Sequence, residues 1–211
     1  MVSRFPPIKL FERIAYPADW DALFALESLT NPRLRQQAGN ISMVTPQDRV
    51  SGPGGSVIMA PFTHLNPLGS RFADAQTAAL YAADTLETAI AETRYHREIF
   101  LRATQQPPME VEMRCYLLDI TGRFHDLRGL SGDYTQVLSP TSYVASQTLA
   151  QALRATSSNG ICYESVRRRS GECLAVFVPR LASHARPSRQ LRYVWNGERI
   201  TSVYELRLLD A

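Results

Sequence analysis

Asn196-Gly197 stands between two runs of alternating residues, and it constrains this chain more than any other short feature. Asn-Gly is the strongest short-range hairpin signal in the chain, so it predicts an antiparallel hairpin. Tyr204, Leu206 and Leu208 alternate with Val203, Glu205 and Arg207 in the second arm. A longer strand is expected earlier, where Val111, Met113, Cys115 and Leu117 alternate with Glu110, Glu112, Arg114 and Tyr116.

The other elements are short and follow no regular strand–helix alternation. Val57 to Pro61, Arg71 to Asp74, Ala79 to Ala82, Ile161 to Glu164 and Leu174 to Val178 read as strands. Helices are expected over Ala83 to Leu101 and from Ser139-Pro140 to Asn159-Gly160. In the first, Asp84 and Glu87 form a capping-box pattern, and Leu86, Ala89, Ile90 and Thr93 make the buried stripe. In the second, Val144, Ala145, Leu149, Ala152 and Leu153 are expected to face inward. Irregular order argues against a doubly wound parallel sheet. The expectation is an α+β fold: a bent, mostly antiparallel sheet with helices packed on it.

The chain has 211 residues, enough for one compact domain with a small appended segment. Residues 1–55 read as that segment and 56–211 as the main body. Tyr16 to Gln37 suits one or two short helices, whereas Ile41 to Gly55 is rich in Pro and Gly and reads as an exposed connection. Formal net charge is only +3, too mild to make nucleic acid the default partner. Lys9 is the only lysine, so the basic side chains are nearly all arginines, which can grip phosphates bidentately. Cys115, Cys162 and Cys173 are an odd set without C-x-x-C spacing, as expected of reduced thiols in a cytoplasmic protein. No signal sequence or membrane-spanning apolar run is apparent.

Among groups able to carry chemistry, Glu92 lies about 100° from the centre of its helix's apolar stripe. Its neighbours Thr88, Ala89, Ala91 and Thr93 are small, which leaves room for a ligand or another backbone. Arg71 and Tyr81 fall at the ends of the short strands just before that helix, and pairing of those strands would turn both into one cleft. Taken alone, each has an ordinary alternative: a solvated glutamate, a surface arginine and a core aromatic. Glu92 and His96 have i, i+4 spacing but lack a third metal ligand. Arg167-Arg168-Arg169 suits either a phosphate patch or a solvated loop. No G-x-G-x-x-G follows a strand, so a Rossmann site has no support.

Taken in order, these residues carry a family resemblance. Pro61-Phe62-Thr63-His64-Leu65-Asn66-Pro67-Leu68-Gly69-Ser70-Arg71-Phe72, then Ala79-Leu80-Tyr81-Ala82-Ala83, then Thr88-Ala89-Ile90-Ala91-Glu92-Thr93, resemble the RES family. Gly160-Ile161-Cys162-Tyr163-Glu164-Ser165 resembles its late serine segment, with Glu164 where the family often has proline. The likeness runs from about Pro61 to Val178.

The resemblance implies an ADP-ribosyltransferase-like fold and a bacterial toxin paired with an Xre-like antitoxin. Members use NAD⁺ as co-substrate without a metal. Some degrade it by phosphorolysis or hydrolysis, and others transfer ADP-ribose to a protein, including a nucleotide-synthesis enzyme. The implied site is Glu92, Arg71 and Tyr81, with Ser165 and His64 contributing to NAD⁺ binding. Transfer to a protein acceptor is the favoured reading, with degradation of NAD⁺ beside it, and a homodimer is allowed. A nuclease toxin using His96 and Glu92, and a non-catalytic partner protein, are the readings from other classes.

Overall fold

The computed structural model describes Val2–Ser3, Glu12, Tyr16, Trp20, Ala22 and residues 39–207. The helices expected over Tyr16 to Gln37 lie almost wholly outside the described residues. Trp20 is described, and its side chain is fully buried.

The architecture is α+β, with the strands shared between two four-stranded sheets. The first sheet has the order β1 (Val2–Ser3), β3 (Met109–Ile120), β7 (Ala182–Trp195), β8 (Ile200–Leu206), and all its pairings are antiparallel. The second has the order β2 (Leu80–Ala83), β6 (Glu172–Val176), β5 (Gly160–Glu164), β4 (His125–Asp126). Only its β4–β5 pairing is parallel. Three α-helices complete the described part: α1 (Gly55–Thr63), α2 (Leu86–Ala103) and α3 (Val144–Ala155).

The expected hairpin joins β7 to β8. Gly197 takes φ +101°, and Asn196 Oδ1 accepts the Glu198 and Arg199 amides at 3.0 and 2.9 Å. The long strand is also present, and its two ends bury opposite faces. Val111 and Met113 pack beneath α2, while Leu118 and Ile120 pack on the α1 side. Leu117 lies beyond the cover of α2 and is half exposed, which ends the burial alternation read from the sequence.

Five local expectations are corrected. Val57 to Pro61 is helical within α1, because a short apolar run fits a buried helix as well as a strand. Gly54 turns into that helix at φ +83°; a Cβ there would lie 2.4 Å from the Ala185 carbonyl oxygen. Glu12, in the N-terminal segment, receives the Ser56 hydroxyl at 2.6 Å in the first turn of α1. Arg71 to Asp74 is a tight turn closed by a Ser70–Ala73 bridge instead of a strand. The cap of α2 is Thr85, whose side chain accepts the Thr88 amide, with Asp84 in turn accepting the Thr85 amide at 2.8 Å. Helix α3 starts at Val144, since the Ser139 hydroxyl caps a separate turn through Ser142 at 3.2 Å; Val144 and Ala152 are exposed. The Ile41 to Gly55 connection is not uniformly exposed either, because Ile41, Val44 and Arg49 are buried.

Three apolar clusters follow from this arrangement. Ile58, Met59 and Phe62 of α1 meet Leu80 and Val176 on one face of the second sheet. Ile161, Tyr163, Cys173 and Ala175 form the opposite face, covered by Phe72 and by Ala150 of α3. Leu101, Leu86 and Ile90 of α2 cover Met113, Leu191, Tyr193 and Trp195 of the first sheet. The Thr93 hydroxyl lies 2.8 Å from the Tyr193 hydroxyl and fixes the rotation of α2 over that sheet.

Candidate active site

Register decides which side chains share the α3-covered face of the second sheet. Tyr81 pairs with Ala175, which pairs with Ile161; Ala83 pairs with Cys173, which pairs with Tyr163. Paired residues lie side by side, and alternate rows project to the same side. Tyr81, Cys173 and Tyr163 therefore project from one face. Ser165 follows directly after β5.

Helix α2 crosses near this face, and the chain is shaped to let it approach. Gly171 lies against Thr88, a fully buried residue one helical turn before Glu92. A Cβ on Gly171 would meet the Thr88 hydroxyl at 2.6 Å, so only glycine permits this approach. The space left by small residues around Glu92 is used here by another backbone.

That approach brings Glu92 to Ser165. The Ser165 hydroxyl donates to Glu92 Oε1 at 2.6 Å, and the Cys173 thiol lies 3.9 Å from the same oxygen. Both donors address Oε1, leaving Oε2 to other partners. The Ser165 oxygen also accepts the Arg167 and Arg168 amides, each at 3.1 Å, which orients its proton toward the carboxylate. Burial pushes the Cys173 thiol up to about 12, with the Glu92 charge adding to the rise. The thiol stays protonated and acts as a donor.

Arg71 is only 6% exposed. Its Nη1 donates to the Val137 and Ser139 carbonyls at 3.1 and 2.9 Å, and its guanidinium lies 5.0 Å from the Tyr143 ring centroid. No carboxylate pairs with it among the described residues. A buried guanidinium held by neutral groups has N–H donors to spare, which suits an anionic ligand.

Tyr81 presents its ring to solvent, at 37% exposure, while its hydroxyl end is enclosed. That hydroxyl lies 2.8 Å from Ser70 Oγ and accepts the Phe72 amide at 2.9 Å, so it props up the turn carrying Arg71. Desolvation of the hydroxyl raises its pKa, against the opposing pull of its hydrogen bonds and of Arg154 and Arg71. Tyr163 is buried among all these groups. Desolvation raises its pKa strongly, Cys173, Tyr81 and Glu92 add to the rise, and Arg71 opposes it. Arg71, Tyr81 and Glu92 thus act on one shared neighbour.

His64 sits at the C-terminal end of α1. Its Nδ1 lies 3.3 Å from the Ala60 carbonyl and 3.1 Å from the Thr63 hydroxyl. Of the arginine triplet, Arg167 stacks on Tyr95 and Arg168 approaches Thr88 at 3.5 Å, leaving only Arg169 exposed. Desolvation lowers the pKa of His96, Glu92 opposes the fall, and Arg167 and Arg71 add to it. Among the described residues, no group of three or more His, Cys, Asp or Glu side chains gathers as a metal site would require.

One support of the site went unread in the sequence. Gln147, Gln151 and Arg154 form a polar stripe along α3 at helical spacing, and all three grip the 70–78 segment. Gln147 donates to the Ser70 carbonyl at 3.0 Å, Gln151 to Asp74 at 2.7 Å, and Arg154 to the Ala78 carbonyl at 2.5 Å. Their i, i+4, i+7 spacing was the available signal, but spacing alone does not separate such a stripe from a solvated face.

Comparison with known proteins adds two findings. The profile of the RES domain family matches residues 46–196. A Sinorhizobium fredii (strain NBRC 101917 / NGR234) protein described as "Uncharacterized protein y4oC" is 31% identical over 207 residues, covering 96% of this chain and 84% of its own length.

Proposed function

This chain belongs to the RES domain family, and we propose that it cleaves the nicotinamide–ribose bond of NAD⁺ and passes ADP-ribose to a protein acceptor. RES domains are associated with NAD-processing toxins of toxin–antitoxin systems. In that setting an Xre-like antitoxin is the cognate partner.

One observation carries the reading: a carboxylate, Glu92, held through one oxygen by Ser165, near a buried arginine that no carboxylate among the described residues pairs with. Breaking the C–N glycosidic bond sends its electron pair to nicotinamide and leaves positive charge on the ribose, as in glycoside hydrolysis. The free Oε2 of Glu92 accepts a ribose hydroxyl and stabilises that charge. The exposed ring face of Tyr81 stacks on the nicotinamide. Arg71 pairs with phosphate or ribose oxygens. Ser165 orients Glu92 by committing its hydroxyl proton to Oε1. A nucleophile on the acceptor then bonds to the anomeric carbon and loses its proton.

The test incubates the full chain, and Glu92→Ala, with labelled NAD⁺ and cell extract. A labelled protein band that disappears with Glu92→Ala is the expected outcome. Loss of NAD⁺ without a labelled band would move the acceptor to water or phosphate. Intact NAD⁺ with wild type, together with equal growth defects from both chains on expression, would remove the NAD⁺ reading altogether. RNA or DNA cut by the wild type would establish the nuclease alternative.

A further inference from the structure

A turn between β4 and α3 holds two arginines from distant parts of the chain by consecutive carbonyls. Arg71 Nη1 donates to the Ser139 carbonyl at 2.9 Å, and Arg167 Nη2 donates to the Pro140 carbonyl. Adjacent Cα atoms are about 3.8 Å apart, so the two guanidinium groups are anchored on neighbouring peptides.

They are held in the same manner. Each has a backbone carbonyl on one edge and an aromatic ring on one face: Tyr143 for Arg71 and Tyr95 for Arg167, the latter with its ring centroid at 3.3 Å. The Tyr95 hydroxyl donates to the same Pro140 carbonyl at 3.2 Å, bracing the arrangement. Neither arginine has a carboxylate partner among the described residues, although ten other ion pairs of arginine with Asp or Glu are formed among them. Both keep unused N–H donors, since Arg71 spends only Nη1 and Arg167 spends a single Nη2 hydrogen in these contacts. The charges of both also act on His96, one helical turn beyond Glu92.

We propose that Arg167 is a specificity residue that works beside Arg71 as the second arm of a clamp for a dinucleotide's diphosphate. This rests on the reading of NAD⁺ as substrate. Two planar forks anchored on neighbouring peptides match two linked phosphates, each carrying a charge, better than a single phosphate. The clamp is also tied to the acid: the Arg167 amide donates to Ser165 Oγ, which donates to Glu92. A diphosphate seated on Arg167 therefore fixes the loop whose first residue positions the carboxylate.

The test is calorimetric binding of ADP-ribose and of nicotinamide mononucleotide to the full chain and to Arg167→Gln. Glutamine keeps a donor for the Pro140 carbonyl and removes the charge. ADP-ribose affinity is expected to fall about 10- to 100-fold, in line with the loss of a charged hydrogen-bonding partner. Mononucleotide affinity is expected to change less than about threefold, because one phosphate needs only one arm. Equal ADP-ribose affinities, or equal losses for both ligands, would overturn the proposal. If Arg167→Gln does not fold by circular dichroism, Arg167→Lys decides: a smaller loss confined to ADP-ribose supports the clamp, and none refutes it. Arg167-dependent ADP-ribose binding by a wild type that leaves NAD⁺ intact would keep the clamp and sink the enzymatic reading.

Discussion

The Ser165 hydroxyl and the Glu92 carboxylate meet at 2.6 Å across 73 residues of sequence, and the serine is fixed in turn by two backbone amides. Ser165→Ala removes the donor to the carboxylate and leaves the two amides without their acceptor. Stability is expected to fall by about 1–3 kcal/mol, the range for a hydrogen bond to a charged group, as read by urea melting. NAD⁺ turnover is expected to fall further than this loss of folded protein explains. Ser165→Thr, which keeps the hydroxyl, should restore most of both.

Glu92→Gln preserves shape and loses charge. Nicotinamide release is expected to drop by roughly 10²–10³-fold, the scale for removing one electrostatic contact to a transition state. The melting transition should stay near wild type, since Ser165 can still donate to the amide oxygen. Wild-type release from a folded Glu92→Gln chain would remove Glu92 from the chemistry.

The α3 stripe makes a separate claim. Gln147→Ala and Arg154→Leu cut hydrogen bonds that hold the 70–78 segment without touching Glu92. Amides in that segment are expected to exchange with solvent faster than in wild type, and the Michaelis constant for NAD⁺ to rise, because Arg71 sits in the turn they anchor. Unchanged exchange there would mean that the apolar cluster around Phe72 fixes the turn unaided.

Alkaline stability follows from Cys173. Its pKa is raised in the fold, from 9.0 to about 12, by burial and then by Glu92. A raised value means that the unfolded chain loses the proton first. The stabilisation is complete below about pH 9 and is lost as pH rises toward about 12, at up to about 1.4 kcal/mol per pH unit for one proton. Denaturation at pH 8, 9, 10 and 11 should trace this decline, and Cys173→Ala should flatten it. At pH 8 the buried thiol should also resist alkylation until the chain unfolds.

How far the sequence could be read depended on whether a feature was local. Asn196-Gly197 and the alternation beginning at Val111 specify their own geometry; the hairpin forms, and the alternation runs as expected through Cys115 and ends at Leu117. Val57 to Pro61 was misread because five apolar residues carry no period. Arg71 to Asp74 and Ser139-Pro140 were misread because their turns are held by distant groups: Tyr81 and α3 for one, Arg71 and Arg167 for the other. The same limit applied at the site. Glu92 showed as a marginal helix position, but the Cys173 sulfur and the Arg167–Tyr95 stack become visible only once β5, β6 and α2 are placed together.

The close fit of Gly171 against Thr88 has a consequence for synthesis. Arg71, Tyr81 and Glu92 leave the ribosome early, but Glu92 gains its positioning partner only after residues 160–176 have emerged and paired with β2. A growing chain thus carries Glu92 without its serine partner until residues 160–176 have followed it. On the proposed reading, activity begins only when the second sheet closes.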